Sequence, residues 1–241
     1  MAREVQVAEA FVELSGTLVA GADVVEFLHI LARRSVDLLD AAEAGLMLAD
    51  ERGGLRVMAS SNERAHLLEL FELQSDEGPC LDCFRSGRPL INEWLDEDPG
   101  RWPRFSVRAR ALGFRSAHAL PMRWQDQVIG SLNLFRDDAG SLGEADVALG
   151  QALADVATIG ILRERTLREA RVVSESMQAA LSSRIVIEQA KGMVAARGGV
   201  TIDEAFELLR AYARNTNSRL PEVAEAAIEG HIGIRDLGWP P

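Results

Sequence analysis

The segment that decides the fold is GFRSAHALPM at residues 113–122, followed after a short connection by VIGSLNLF at residues 128–135. Residues 116–122 and 128–135 are mainly apolar and have the length of strands. The connection between them, RWQDQ, is polar and suits a hairpin loop. The sequence therefore predicts two long strands joined as a hairpin.

Shorter elements precede this hairpin. Apolar residues at spacings of three and four predict two helices, with Asp23 as the N-cap of the second. A glycine-rich turn at residues 50–54 predicts another hairpin. The segment 75–113 contains four prolines and is predicted to be irregular apart from one edge strand. The predicted elements are helices 5–20 and 24–39, strands 44–49 and 55–59, helix 63–74 and edge strand 88–92.

A long helix is predicted after Ser141, which would form a Ser-x-x-Glu capping box with Glu144. Two interpretations of its apolar stripe remain open: packing on its own domain, or a parallel coiled coil with a second subunit. We favour the dimer, because a helix that crosses a domain boundary without Gly or Pro transmits orientation. The stripe consists of Val156, Ile159, Leu162, Thr166, Ala170, Val173, Met177 and Ala180.

The chain beyond residue 175 has no strand signal, and its pattern predicts three short helices. The first spans residues 182–197 and is stopped by two glycines. The second opens with a capping box between Thr201 and Glu204, and the third has Pro221 near its start. Short connections between such helices predict a small bundle.

Composition limits the classes of function. A length of 241 residues suits two domains, and a formal net charge of −11 argues against bulk coating of nucleic acid. Any RNA contact must come from a local group of cations, in which Lys191 is the only lysine of the chain. No run approaches about 18 consecutive apolar residues, and the start lacks a signal-peptide core. We therefore expect a cytoplasmic protein that does not bind a membrane.

The C-terminal pattern resembles the ANTAR family. The residues that carry the resemblance are IEQAKG at 187–192, EAFELLR at 204–210, then Asn217, Leu220 and Val223-Ala224, within residues 174–230. The resemblance implies a domain that binds paired RNA hairpins in transcripts, as a dimer, and acts in transcription antitermination.

The long hairpin and its surroundings, residues 8–165, resemble a GAF domain. The resemblance implies an α+β fold, in which an antiparallel sheet is backed by helices and a cleft is closed by variable loops. We expect a GAF-type sensor at 1–165, a connecting helix at 166–181 and a three-helix ANTAR domain at 182–241. A receiver domain is not expected, because no parallel βα repeat with acidic strand ends is present.

Arg184 and Lys191 lie two turns apart on the predicted solvent side of the first bundle helix, about 10 Å along its axis. Two cations so spaced suit phosphates or loop bases. Ala195 is also predicted on this side, whereas Tyr212 is expected in the core. The alternative is that Arg184 and Glu188 form an ordinary surface pair. The candidate RNA-binding residues are Arg184, Ala190, Lys191, Gly192, Arg210, Arg214, Asn217 and Arg219; Ala190 and Gly192 would let RNA approach closely, and Asn217 is equally a turn residue.

The sensor part contains a Cys-x-x-Cys pair, Cys80 and Cys83. The pair suits a redox couple or half a zinc site, but no second Cys/His pair completes a metal site, and packing beside the cleft is the favoured interpretation. Trp94 and Trp102, with Trp124, would either clamp a flat ligand or cover the sheet. His118 is a candidate ligand contact, although a core histidine is favoured.

These patterns lead to one favoured function and one alternative. The favoured function is a signal-responsive transcription antiterminator, in which a small molecule in the GAF cleft alters the connecting helix and thereby the ANTAR dimer. The alternative is a small-molecule or redox sensor whose bundle serves only dimerisation or protein contact. No catalytic arrangement is recognised, so we expect no enzyme, and the patterns identify no cofactor.

Overall fold

The computed structural model describes residues 3–19, 23–50, 52–95, 100–138, 140–233 and 235–238. The chain divides into two compact units, Met1–Arg165 and Thr166–Pro241. The first unit is α+β and the second is helical, which confirms the predicted fold class.

An antiparallel sheet forms the centre of the first unit. Its strands are β1 (Glu43–Ala49), β2 (Leu55–Ser60), β3 (Leu90–Trp94), β4 (Ser116–Trp124) and β5 (Gln127–Arg136). Their order is β2-β1-β5-β4-β3. The predicted long hairpin is confirmed as β4–β5, but pairing continues through Trp124 and Gln127, so the connection has two residues rather than five.

Helices cover both faces of this sheet. They are α1 (Arg3–Val19), α2 (Val24–Leu39), α3 (Glu63–Ser75), α4 (Pro79–Ser86) and α5 (Pro103–Ala111). The side chain of Asp23 accepts a hydrogen bond from the Val25 N–H at 2.7 Å, as an N-cap does. Helices α4 and α5 lie in the segment 75–113 that the sequence predicts to be irregular, because proline is typical of loops. Pro79 and Pro103 instead occupy the first turn, where a missing N–H costs nothing.

Alternation along the strands separates two apolar layers. Leu46, Leu120 and Leu132 face α1, α2 and the beginning of the long helix. Ala117 and Phe135 face α3 and α5. Because successive side chains of a strand point to opposite faces, odd-numbered residues of β4 lie on the α3 side and even-numbered residues on the α2 side.

The long helix, α6, runs from Glu144 to Gly198 without interruption and has 55 residues. The predicted capping box at Ser141 is wrong, because the Asp146 carboxylate accepts the Gly143 N–H instead. One 18-residue window of α6 has a mean hydropathy of 1.4, and 33% of it is buried. By length and composition alone α6 is long and apolar enough to cross a membrane, but core helices of soluble proteins meet the same criterion.

The second unit is a bundle formed by the C-terminal part of α6 with α7 (Ile202–Asn215) and α8 (Leu220–Ile228). The predicted capping box is confirmed: the Thr201 hydroxyl accepts the Glu204 N–H, and Glu204 accepts the Thr201 N–H. Small side chains dominate the core and allow close helix packing. Its buried residues are Ala190, Val194, Ala195, Ala205, Leu209, Ala213, Val223, Ala224, Ala227 and Leu237.

Candidate functional sites

Lys191 lies on α6 against α7, and its surroundings define the main candidate site. Its Nζ donates to both carboxylate oxygens of Glu188, at 2.9 and 3.0 Å. The same ammonium lies 5.3 Å from the centre of the Phe206 ring, within reach of a cation–π interaction. The Lys191 side chain is 15% exposed. The only lysine is therefore held in place at the edge of the bundle, with little of its surface in water.

Phe206 is the residue of this site that sequence analysis missed. It lies within the EAFELLR motif at residues 204–210, and the structure places it half-buried, beneath the ammonium of Lys191. Helical spacing shows which face of a helix a residue lies on. It does not show which side chain of another helix contacts that face. We call Lys191, Gly192 and Phe206 the Lys191–Phe206 surface.

Gly192 is half-buried beside Lys191, and a Cβ built there would meet nothing within 4 Å. Ala190, by contrast, is fully buried in the bundle core. The prediction that Ala190 offers a close approach to RNA is therefore wrong for this structure, because its methyl group packs against other helices. Ala195 is also buried, so its predicted solvent-side position is wrong.

The remaining candidate RNA contacts are exposed. Arg210 Nη1 lies 3.6 Å from a carboxylate oxygen of Glu207, and Arg219 Nε donates to Glu222 at 2.8 Å. In the part of the chain that the structure describes, Arg184 and Arg214 have no ion-pair partner. Asn217 has a φ of +52° and lies in the turn after α7, where its left-handed backbone suits a turn residue.

The interior of the sensor contains two glutamates of α3 that are fully buried. Glu69 accepts hydrogen bonds from Asn133 Nδ2 and Ser60 Oγ, both at 2.8 Å. Glu72 accepts the Cys80 N–H at 2.7 Å, while its Oε2 has no hydrogen-bond partner among the described residues. Burial raises the pKa of Glu69 to about 7. Burial also raises the pKa of Glu72 to about 8, and the charge of Glu69 adds to this effect.

Both cysteines are buried thiols on the α4 side of the sheet. Cys80 Sγ lies 2.9 Å from Ser131 Oγ, and Cys83 Sγ lies 3.4 Å from the Ala119 carbonyl oxygen. Burial raises the pKa of Cys83 to about 12 and that of Cys80 well above its ordinary value. Because the thiolate is the reactive form, this environment argues against a redox couple and agrees with simple packing.

The three tryptophans do not form the clamp that was one of their two open interpretations. Trp102 is buried, donates from Nε1 to Asp82 at 2.8 Å and packs edge-on against Phe105. Trp94 is 44% exposed and pairs with the first residue of β4, whereas Trp124 is 49% exposed and is its last residue. Eight residues of strand separate those two positions by about 26 Å. Trp102 therefore covers the core, whereas Trp94 and Trp124 lie too far apart to hold one small ligand between them.

His118 lies on the α2 side of the sheet, opposite to the cysteines. Its Nδ1 accepts the Asn92 N–H at 2.9 Å, and burial together with Arg136 lowers its pKa to about 4. The Asn92 side chain bonds both main-chain groups of Leu142, two residues before α6 begins. His118 is thus a neutral core residue that supports a link from β3 to the segment before α6. The candidate ligand residues as a set are not brought together.

Known families match both units. A model described as GAF domain matches residues 21–162, which is more than half of the chain. A model described as ANTAR domain matches residues 175–228. The chain belongs to the GAF domain family and carries an ANTAR domain behind its sensor. Together the two domains define a signal-sensing regulator.

Solved structures share the fold of the sensor. The GAF domain of a phosphoenolpyruvate-protein phosphotransferase from Coxiella burnetii is 15% identical, with a TM-score of 0.55 over 70% of this chain and 99% of that chain. The corresponding Acinetobacter domain is 14% identical, with a TM-score of 0.52 over 68% and 97%. Free methionine-R-sulfoxide reductase from Neisseria meningitidis, in complex with its substrate, is 17% identical, with a TM-score of 0.52 over 67% and 91%. These identities show the fold alone, and no curated protein matches the sequence significantly.

Proposed function

We propose that this regulator is an RNA-binding transcription antiterminator, in which the GAF sensor controls an ANTAR domain that binds paired RNA hairpins. The observation that carries the proposal is the Lys191–Phe206 surface, which lies within the ANTAR match at residues 175–228. An ammonium held over an aromatic ring, next to an uncovered glycine, suits a phosphate and a closely approaching backbone. The proposal includes no catalysis and places the protein in the cytoplasm, where transcripts form.

The proposal also includes a homodimer joined through α6. Residues 165–182 of α6 are exposed, although several are large and apolar. Val173 and Met177 are 54% and 64% exposed, and they lie on the stripe with near-heptad spacing that sequence analysis identified. A stripe of this kind is stabilised when a second copy covers it. Two bundles joined in this way suit a target with two hairpins.

The sensor has a place from which to influence α6. Leu142 precedes the helix by two residues, and its N–H and carbonyl oxygen bond the Asn92 side chain at 2.8 and 3.3 Å. A ligand that binds one conformation of β3 more tightly than another would increase the population of that conformation. The hydrogen bonds between Asn92 and Leu142 would then move the start of α6 with β3. The ligand itself is identified by no contact among the described residues, so the proposal names only a small molecule.

Lys191→Met tests the proposed contact, because methionine keeps the apolar stem over Phe206 and removes the charge. We expect binding to a tandem-hairpin RNA to weaken about tenfold or more in gel-shift titrations, with unchanged circular dichroism. Arg197→Met is the matched control, since Arg197 is an exposed cation of the same helix outside the candidate set. Equal affinity of the two variants would contradict the site.

A further inference from the structure

Three of the candidate RNA-binding cations are paired with glutamates of their own helix or helix cap. Lys191 is bonded by both oxygens of Glu188. Arg210 lies against Glu207, and Arg219 lies against Glu222. In each pair the acid is three residues from the cation. The repetition of one arrangement at three candidate phosphate contacts suggests a shared role.

The second unit as a whole has no excess of positive charge. Residues 166–241 contain nine Lys and Arg residues and ten Asp and Glu residues. Arg184 and Arg214 have no ion-pair partner in the described ranges, so they are the candidate cations free to meet a phosphate first. Lys191, which is 15% exposed, becomes available only when the Glu188 carboxylate is displaced. Arg210 and Arg219 are 54% and 83% exposed, so their carboxylates stay beside an incoming phosphate and weaken its attraction to the cation.

Displacing a carboxylate opposes phosphate binding in two ways. The existing ion pair is lost, and the freed carboxylate stays within a few ångströms of the incoming phosphate and repels it. The first effect should be largest at Lys191, because two oxygens hold one ammonium that is only 15% exposed. An RNA that offers phosphates alone gains little from such a surface. An RNA whose loop bases add contacts with the same groups can still bind.

We propose that Glu188, Glu207 and Glu222 are specificity-determining residues that act as internal counterions of the RNA interface and exclude RNA lacking the correct shape. This inference rests on the proposed function. It assigns to the three glutamates a role in discrimination: they weaken the binding of incorrect RNA more than the binding of the correct target. Neutral variants should therefore bind more RNA, and bind it less selectively.

The test compares wild type with Glu188→Gln and with the Glu188→Gln/Glu207→Gln/Glu222→Gln triple variant. Glutamine keeps an acceptor at each position, and at Glu222 it preserves the bond from the Arg219 N–H that caps α8. The probes are a tandem-hairpin RNA, a loop-free duplex of equal length and poly-uridine. We expect Glu188→Gln to bind duplex and poly-uridine about three- to tenfold more tightly, and the triple variant more tightly still. Affinity for the tandem hairpin should rise less, so that the selectivity ratio falls.

Glu175→Gln is the matched control, because Glu175 pairs with Arg171 at 2.9 Å on α6 but outside the candidate interface. It should leave all three affinities unchanged. Wild-type binding to the tandem hairpin, with selectivity unaltered in the triple variant, would overturn this inference and leave the proposed function standing. Loss of tandem-hairpin binding in Glu188→Gln would also overturn it, since that result makes Glu188 a direct contact. Failure of both wild type and the triple variant to bind any probe would instead overturn the proposed function.

Discussion

Gly160 and Gly192 lie in the same helix, and a side chain at each would meet different surroundings. At Gly160 a Cβ would lie 2.5 Å from the Phe27 ring, so packing on α2 requires glycine there. At Gly192 a Cβ would meet nothing within 4 Å. Glycine inside a helix is less favourable than alanine by roughly 0.5–1 kcal/mol. The fold of the described chain therefore gives no reason for Gly192, whereas a closely approaching RNA does.

Gly192→Ala should separate stability from binding. We expect the free energy of unfolding to rise by about 0.5–1 kcal/mol, because the helix gains a residue of higher propensity. Affinity for tandem-hairpin RNA should fall several-fold, since the added methyl group stands beside Lys191. Chemical denaturation and gel shift measure the two effects. A variant that is more stable and binds RNA as well as wild type would show that Gly192 has no role in the interface.

At the scale of the element, α6 changes character along its length. Its first turns contribute Leu153, Ala154 and Ala157 to the sensor core, and its last turns contribute Ala190 and Val194 to the bundle core. Between them, residues 165–182 are exposed. A helical segment that keeps large apolar side chains in water is poorly explained by a single chain.

Met177→Glu should weaken dimerisation, because it places a charge on the apolar stripe while keeping a good helix former. We expect native mass spectrometry and sedimentation to show mainly monomer at concentrations where wild type is dimeric. Val172→Glu is the control: Val172 is 61% exposed, but lies outside the stripe, about 100° around the helix from Val173. Equal subunit composition of the two variants would rule out this face as the dimer contact.

At the scale of the whole molecule, the sensor unit carries most of the negative charge and also buries two of its glutamates. The second unit holds ten of the 37 acidic and nine of the 26 basic residues, so nearly all of the net charge of −11 belongs to the sensor unit. Inside that unit, Glu69 and Glu72 are buried three residues apart on one helix. Asn133, Ser60 and backbone N–H groups meet them, but no cation does so among the described contacts.

This arrangement makes sensor stability depend on pH. The pKa values of Glu69 and Glu72 rise from 4.5 to about 7 and about 8 on folding, so the folded state holds protons that the unfolded state releases. Protonation of these two glutamates contributes fully to the free energy of unfolding below pH 4.5. This contribution is lost as the pH rises through their folded-state pKa values of about 7 and about 8. We expect the Tm of the sensor to fall between pH 5 and pH 8.5, and Glu72→Gln to reduce that fall. Glu63→Gln, on the exposed part of α3, should behave as wild type; an unchanged slope in Glu72→Gln would contradict the assignment.

Features that depend on neighbours along the chain could be predicted from the amino-acid sequence. Asp23 and Thr201 cap helices as predicted, because a cap needs only a side chain and N–H groups within three residues. The β4–β5 pair and the three-helix bundle follow from apolar spacing over short windows. Pro79 and Pro103 show the limit of local signals, since proline favours both loops and first turns.

Which candidate residues meet depends on contacts between remote segments and became visible in the three-dimensional fold. Strand alternation turned His118 away from the face that α4 and its cysteines cover, core packing buried Trp102 and Ala190, and the crossing of α6 over α7 brought Lys191 to Phe206. None of these outcomes is encoded in spacing, because each depends on the distance between segments that are remote in sequence. Burial then set the chemistry: Glu69 and Glu72, ordinary helix residues in the sequence, have their pKa values raised to about 7 and about 8 in the sensor interior, where water is excluded around them.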